Sequence, residues 1–128
     1  MAGCTDLAFR LIARAHGMRF AFLEMISAET FVRSNPETQA RMRTEEADRP
    51  VGVQLVGCDP SVMAAAAAGV EGLGFPLVDL NLGCPVPKVV CKGGGSQLLR
   101  EPETAGEIFR RVVRAVKRVP IVGQDDHY

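Results

Sequence analysis

The sequence predicts an α/β fold built on a parallel sheet, and three observations carry that expectation. Short apolar runs alternate with amphipathic helical stretches along the chain, the arrangement that gives right-handed βαβ units. The apolar runs lack the in-and-out alternation of a half-solvated strand, as in VGVQLV at 51–56, and so suit strands covered on both faces. Helix punctuation falls where such units need it, with Asp59–Pro60 and Pro102 ahead of helices and Gly17 behind one.

Element by element, Thr5 or Asp6 caps a first helix with an apolar face of Ala8, Leu11, Ile12 and Ala15, and Gly17 stops it. Residues 20–26 (FAFLEMI) form a buried strand, and the polar stretch 34–49 holds a short helix. Residues 51–56 are the next strand. Asp59 and Pro60 are then the N-cap and first residue of a helix running through the alanines at 64–68 towards Gly72 or Gly74. Residues 77–82 are another strand. Pro102 opens a helix with Ala105, Ile108, Phe109, Val112, Val116 and Val119 at helical spacing, and residues 120–122 begin a further strand. Pattern alone leaves two architectures, an open doubly wound sheet and part of a (β/α)8 barrel. No G-x-G-x-x-G follows a strand, which weakens the dinucleotide-binding form of the open sheet. The chain opens on a loop-and-cap sequence and stops as a strand begins, whereas a complete barrel takes about 250 residues. The expectation is that both ends are cut and that residues 1–128 are roughly the N-terminal half of a barrel domain.

Composition bounds the function. With 47% hydrophobic residues the 128-residue chain can bury a core, and its 15 basic and 15 acidic side chains cancel. That balance removes the whole-domain basicity typical of nucleic-acid binders but leaves room for local patches. The start, MAGCTDLAFR, has neither the basic nor the apolar region of a signal peptide. No window approaches the ~20 apolar residues that cross a bilayer. A soluble, cytoplasmic protein with no membrane partner is expected. The four cysteines, Cys4, Cys58, Cys84 and Cys91, form no C-x-x-C pair and only two histidines accompany them. Neither a metal site nor a disulfide framework is expected.

The stretch 78–99, VDLNLGCPVPKVVCKGGGSQLL, carries the chemistry. A strand ends at Asn81, and Gly83, Cys84 and Pro85 form the turn after it. Loops at the carboxyl ends of parallel strands build active sites. A lone free cysteine is more often a small buried hydrophobe than a reagent. Its neighbours shift that balance: Asn81 offers donor and acceptor at the strand mouth, and Lys88 and Lys92 add positive charge. Gly93, Gly94 and Gly95 form either a loop with backbone N–H groups open to an anion or simply a turn.

N-x-G-C-P-x-x-K-x-x-x-x-G-x-G, present as NLGCPVPKVVCKGGG, resembles the signature region of the tRNA-dihydrouridine synthases. MAGCTDLAFR resembles that family's opening segment after its first strand, and FLEMISA its second strand and loop. RPVGVQLVG followed by Asp59 and Pro60 resembles its third strand and helix start, and SQLLREPE also fits. The bacterial subgroup with G-C-P-V-P-K is the most similar. The resemblance implies a TIM-barrel oxidoreductase that holds FMN, takes electrons from NADPH and reduces the C5–C6 bond of a uridine in tRNA. It further implies that Cys84 protonates C5 as a general acid, a task for which a thiol with a reference pKa of about 8.5 is mostly protonated at neutral pH. Asn81 then contacts the uracil, Gln54 contacts the flavin, and Met1 and Ala2 pass beside the flavin through backbone contacts. Gln54 has an equally good reading as a satisfied polar group of the barrel interior. Lys88 suits positioning a loop or attracting phosphate, and Lys92 belongs to the same basic stretch. The target base must leave the tRNA fold to be reached.

The chain departs from the family at its end, where VPIVGQDDHY lacks the lysine of the usual V-T-V-K-x-R segment. The family's downstream histidine, phosphate-binding loops and tRNA-holding helical domain are absent as well. Weak or no FMN binding, no activity alone and self-association through open strand edges are therefore expected of the chain. Two other readings compete: another FMN barrel such as a dihydroorotate dehydrogenase, which also places an asparagine and a cysteine near the flavin, and a non-catalytic half-barrel that serves as an interaction module.

Overall fold

The computed structural model describes residues 4–124. Helix α1 (Leu7–Ala15) is followed by two short strands, β1 (Ala21–Phe22) and β2 (Ile26–Ser27), and then by helices α2 (Ala28–Val32) and α3 (Pro36–Arg41). Strand β3 (Val51–Val56), helix α4 (Pro60–Gly72) and strand β4 (Val78–Asn81) form one βαβ unit. Helix α5 (Pro87–Val90), a 3-10 turn at Gly95–Arg100, helix α6 (Pro102–Ala115) and strand β5 (Ile121–Gln124) complete the next.

Every pairing is parallel. The sheet order is β1-β3-β4-β5, with β2 also on β3. The fold is thus α/β with five parallel strands, as an arc of a (β/α)8 barrel requires.

The expected strand at 20–26 is interrupted. Ala21 and Phe22 pair with Val51 and Gly52, whereas Ile26 and Ser27 pair with Leu55 and Val56. Four steps along the first strand therefore face three along β3. The surplus residue makes a bulge at 23–25, and Leu23 N still donates to Gly52 O at 2.9 Å. Below the bulge Phe22 faces inward over Gly52; above it Ile26 faces outward beside Leu55.

The core lies between sheet and helices. Val53, Leu55, Val78 and Leu80 are buried against Met63, Ala66 and Val70 of α4 and Ile108 and Val112 of α6. The alanine run lets α4 approach its neighbours closely, and a Cβ on Gly69 would strike the Phe31 ring at 2.6 Å. Asp59 caps α4 as expected, accepting from Ser61 N at 2.8 Å and Val62 N at 2.9 Å. Gly74, at φ 82°, ends the helix: its N–H donates to Glu71 O and Phe75 N–H to Val70 O.

Helix α1 is oriented differently from its apolar pattern. Asp6 caps it, with Phe9 N at 2.8 Å, and Gly17 stops it at φ 95°. Yet Ala8, Ile12 and Ala15 are exposed, and the residue turned inward is Arg10. Its guanidinium meets the buried Asp48 carboxylate at 2.8–3.0 Å and also donates to Thr5 O and to Arg43 O. Arg14 beside it donates to the carbonyls of Arg19, Asp48 and Pro50. The buried Arg10–Asp48 pair and the carbonyls that both arginines satisfy set which side of α1 faces inward, and the apolar pattern does not.

Candidate active site

The inner face of the sheet, opposite the helices, carries Phe22, Gly52, Gln54, Val56, Asp79, Asn81 and Val122, as the pairings and strand alternation dictate. Polar groups concentrate towards the carboxyl ends. Gln54 and Asp79 are register partners, and Gln54 Nε2 donates to Asp79 Oδ2 at 2.7 Å. Asn81 stands two residues beyond Asp79 on the same face, about 7 Å higher at the strand rise. It is 4% exposed.

Asn81 shapes the loop after β4. Its Oδ1 accepts from Cys84 N at 3.0 Å, and Cys84 O accepts from Ser96 N at 3.0 Å. The backbone of Cys84 is pinned from both sides while its side chain remains half-buried at the mouth of the sheet. The residue is therefore not fully buried. This sets it apart from the small core residue a lone cysteine usually is.

The three glycines work as structure. Gly93, at φ 83°, stops α5, with its N–H on Val90 O and Gly94 N–H on Val89 O. Gly94 lies on Val56, 3.5 Å from its Cγ2 to an ideal Cβ position. Gly95, at φ 59°, passes so close beneath the Cys84 loop that a Cβ would collide with the Cys84 carbonyl oxygen. The amides of Gly93, Gly94 and Ser96 are all spent on internal acceptors. Of the two readings of this loop, the turn is the one the hydrogen bonds bear out.

Lys88 on α5 and Lys92 just beyond it are both exposed, four residues apart on the rim that also carries Cys84. Met1 and Ala2 lie outside the described residues. Sequence reasoning missed Asp79, the buried carboxylate beside Gln54; its place amid the apolar strand VDLN was the available signal. It also missed Cys58, whose thiol donates to Lys92 O at 3.0 Å and so ties the end of β3 to the glycine loop. Burial pushes that thiol's pKa up, helped by Glu29, Asp59 and Glu101. A third unforeseen contact is Glu71 on α4, which accepts from Lys117 N at 2.9 Å and from Arg118 N, holding the turn into β5.

An open cleft of about 390 Å³ is lined by Asp6 and Leu7 at the start of α1, Glu24 at the bulge, and Glu37, Arg41 and Arg43. Among the described residues no group of histidine, cysteine, aspartate and glutamate side chains is suited to hold a metal ion. No helix among them is long and apolar enough to cross a membrane.

A profile of the family described as Dihydrouridine synthase (Dus) matches residues 1–123. The chain is 42% identical over 127 residues to the tRNA-dihydrouridine synthase B of Serratia marcescens, covering 94% of this chain and 36% of that protein. It is 39% identical over 134 residues to a probable tRNA-dihydrouridine synthase 1 of Synechocystis sp., covering 98% of this chain and 37% of the relative. It is 38% identical over 121 residues to the tRNA-dihydrouridine synthase B of Pseudomonas aeruginosa, covering 94% and 36%. The chain thus spans under two fifths of the length of these relatives.

Proposed function

The chain belongs to the dihydrouridine synthase family, and from that premise we propose that it forms part of the catalytic barrel of an enzyme that reduces uridine to dihydrouridine in tRNA, in the cytoplasm. The observation that carries this reading is the pinned Asn81–Cys84 turn at the carboxyl end of β4, with the Cys84 side chain half-buried at the mouth.

The residues present suit an FMN-dependent reaction. A side-chain amide, Gln54, is aligned by Asp79 at mid-height of the inner face, and a second amide, Asn81, stands above it. Such groups pair with the imide edges of flat heterocycles. Gln54, with the backbone of Met1 and Ala2, would hold the flavin. FMN held there would supply hydride chemistry at C6 of the uracil, with NADPH as the source of its electrons.

The chain's own residues then account for the rest. Hydride at C6 leaves charge on C5 and O4, and the Cys84 thiol gives its proton to C5. Asn81 orients the base while its Oδ1 keeps the Cys84 amide in place. Lys88 and Lys92 stand on the same rim, where they attract tRNA phosphates. Residues 1–128 make up an incomplete N-terminal part of the flavin-binding barrel, and alone they hold FMN weakly and turn nothing over.

The test is a chimera in which residues 1–123 replace the matching segment of the Serratia marcescens relative. It is expected to form dihydrouridine in tRNA that lacks it, and Cys84→Ala to slow that reaction by ~10²–10⁴-fold, the usual worth of a general acid. An active chimera indifferent to Cys84→Ala would overturn the assignment of the proton donor. Flavin fluorescence with the 128-residue chain is expected to show no stoichiometric quenching.

A further inference from the structure

The chain has no net charge, yet five of its fifteen basic side chains fall within residues 110–118, with no acidic residue among them. Ile108, Val112 and Val116 of this segment turn into the core, while Arg110, Arg111, Arg114, Lys117 and Arg118 are exposed. Arg111 Nη1 donates to Ser61 Oγ at 2.7 Å, and Arg118 Nε lies 3.9 Å from Glu71 Oε2, so the cations border α4. The outward side of α4 is built from small residues, Ser61, Ala64, Ala65, Ala68 and Gly72. A basic ridge therefore stands beside a shallow trough on the outer wall.

Nearby carboxylates do not use this charge up. Glu107 pairs with Arg110 and, at 2.6 Å, with Arg111. Its carboxyl is held below the ordinary carboxylate range, first by the hydrogen bond from Arg111 and then by the charges of Arg110 and Arg114. Glu71 already accepts from the backbone N–H groups of Lys117 and Arg118. Among the described residues, Arg114 and Lys117 have no carboxylate within ion-pair reach. The helix dipole accounts for a cation in the last turn, but not for five.

Four of the five cations are arginines, the side chain whose planar fork grips phosphate through two N–H groups. Arg110 and Arg111 stand about one helical turn from Arg114, roughly 5 Å along the axis, and Lys117 and Arg118 follow at the turn into β5. Such a row can meet successive phosphates of one strand. Residues 110–118 include no aromatic side chain on which a base could stack, which suits backbone rather than base recognition. Helix α6 begins after the glycine loop and runs back towards the start of β5, so the ridge lies away from Cys84, Lys88 and Lys92. We propose that this ridge is a second tRNA contact, which grips the sugar–phosphate backbone at a distance from the reacting uridine. The choice of tRNA rests on the reading of the chain as part of a tRNA-reducing enzyme; the phosphate-binding ridge itself does not.

The test uses Arg110→Gln/Arg114→Gln/Lys117→Gln, since none of these side chains bonds to α4. Anisotropy of a labelled, unmodified tRNA transcript is followed with the 128-residue chain between ~50 and ~200 mM salt. The triple variant is expected to bind ~10-fold or more weakly at the lower salt and to lose ~2–3 from the slope of log affinity against log salt. Its circular dichroism and melting are expected to stay those of the parent, because exposed pairs contribute little. Arg110→Lys/Arg114→Lys, which keeps the charge, is expected to restore the slope. In the chimera described above, the triple variant is expected to raise KM for tRNA and leave kcat unchanged. Unchanged affinity and slope, a loss confined to kcat, or displacement by polyglutamate as readily as by RNA would each overturn the proposal. A ridge-dependent salt slope with a chimera that forms no dihydrouridine would keep the ridge and overturn the catalytic reading instead.

Discussion

Replacing Gly95 by alanine probes the scaffold beneath Cys84 directly. Gly95 has φ 59°, a region that costs an L-residue about 1–2 kcal/mol. Its new Cβ would collide with the Cys84 carbonyl oxygen and stand 3.0 Å from Val89 Cγ1 and 3.1 Å from Cys84 Cβ. Moving that carbonyl away breaks its 3.0 Å hydrogen bond from Ser96 N, worth about 1 kcal/mol. Together the terms give about 2–3 kcal/mol, or roughly 10 °C in Tm for a chain of this size. Gly72→Ala is the control, since a Cβ there meets nothing within 4 Å and the residue is helical; it is expected to be neutral or slightly stabilising. The assay is thermal unfolding followed by circular dichroism, together with mass mapping of iodoacetamide labelling at Cys84. Gly95→Ala is expected to melt earlier and to label Cys84 faster as the loop lifts. Wild-type melting and wild-type labelling in that variant would refute the packing described.

Three further outcomes follow from other contacts. Arg10→Met leaves the Asp48 carboxylate buried without its partner and is expected to cost about 3–5 kcal/mol in urea unfolding, with Arg10→Met/Asp48→Leu recovering much of it. Glu71 has its pKa lowered, chiefly by the hydrogen bond from Arg118 N and then by that from Lys117 N. Its stabilising contribution is therefore present above the ordinary value of 4.5 and lost as pH falls through the lower folded value; Glu71→Gln is expected to flatten that acid limb of a stability–pH curve. Cys58, its pKa raised mainly by burial, is expected to alkylate more slowly at pH 8 than the exposed Cys4 and Cys91, as peptide mapping would show.

How far the sequence could be read depends on whether its signals are local. The β3–α4–β4 unit and α6 were legible because apolar runs, the Asp59–Pro60 cap and the spacing of Ile108, Val112 and Val116 are set by near neighbours. The face of α1 was not, because Arg10 turns inward to meet Asp48, 38 residues away, which no helical periodicity reveals. The break in FAFLEMI was hidden for a similar reason, since a bulge exists only relative to the partner strand. At the site, the motif placed Asn81 and Cys84 on one turn, and the structure adds the hydrogen bond that joins them. The glycine run is ambiguous as letters. Only the amide partners of Gly93, Gly94 and Ser96 show that it serves the turn.

The odd residue at 23–25 also bears on how this strand could change length. Because it resets the parity between Phe22 and Ile26, the segments on either side keep their own facings independently of each other. Elsewhere in the sheet, inserting or deleting one residue would turn core side chains towards the lumen. Here a one-residue deletion would instead straighten the ribbon and leave Phe22 and Ile26 facing as they do now, so this is the place where the strand can lose a residue without turning core side chains over.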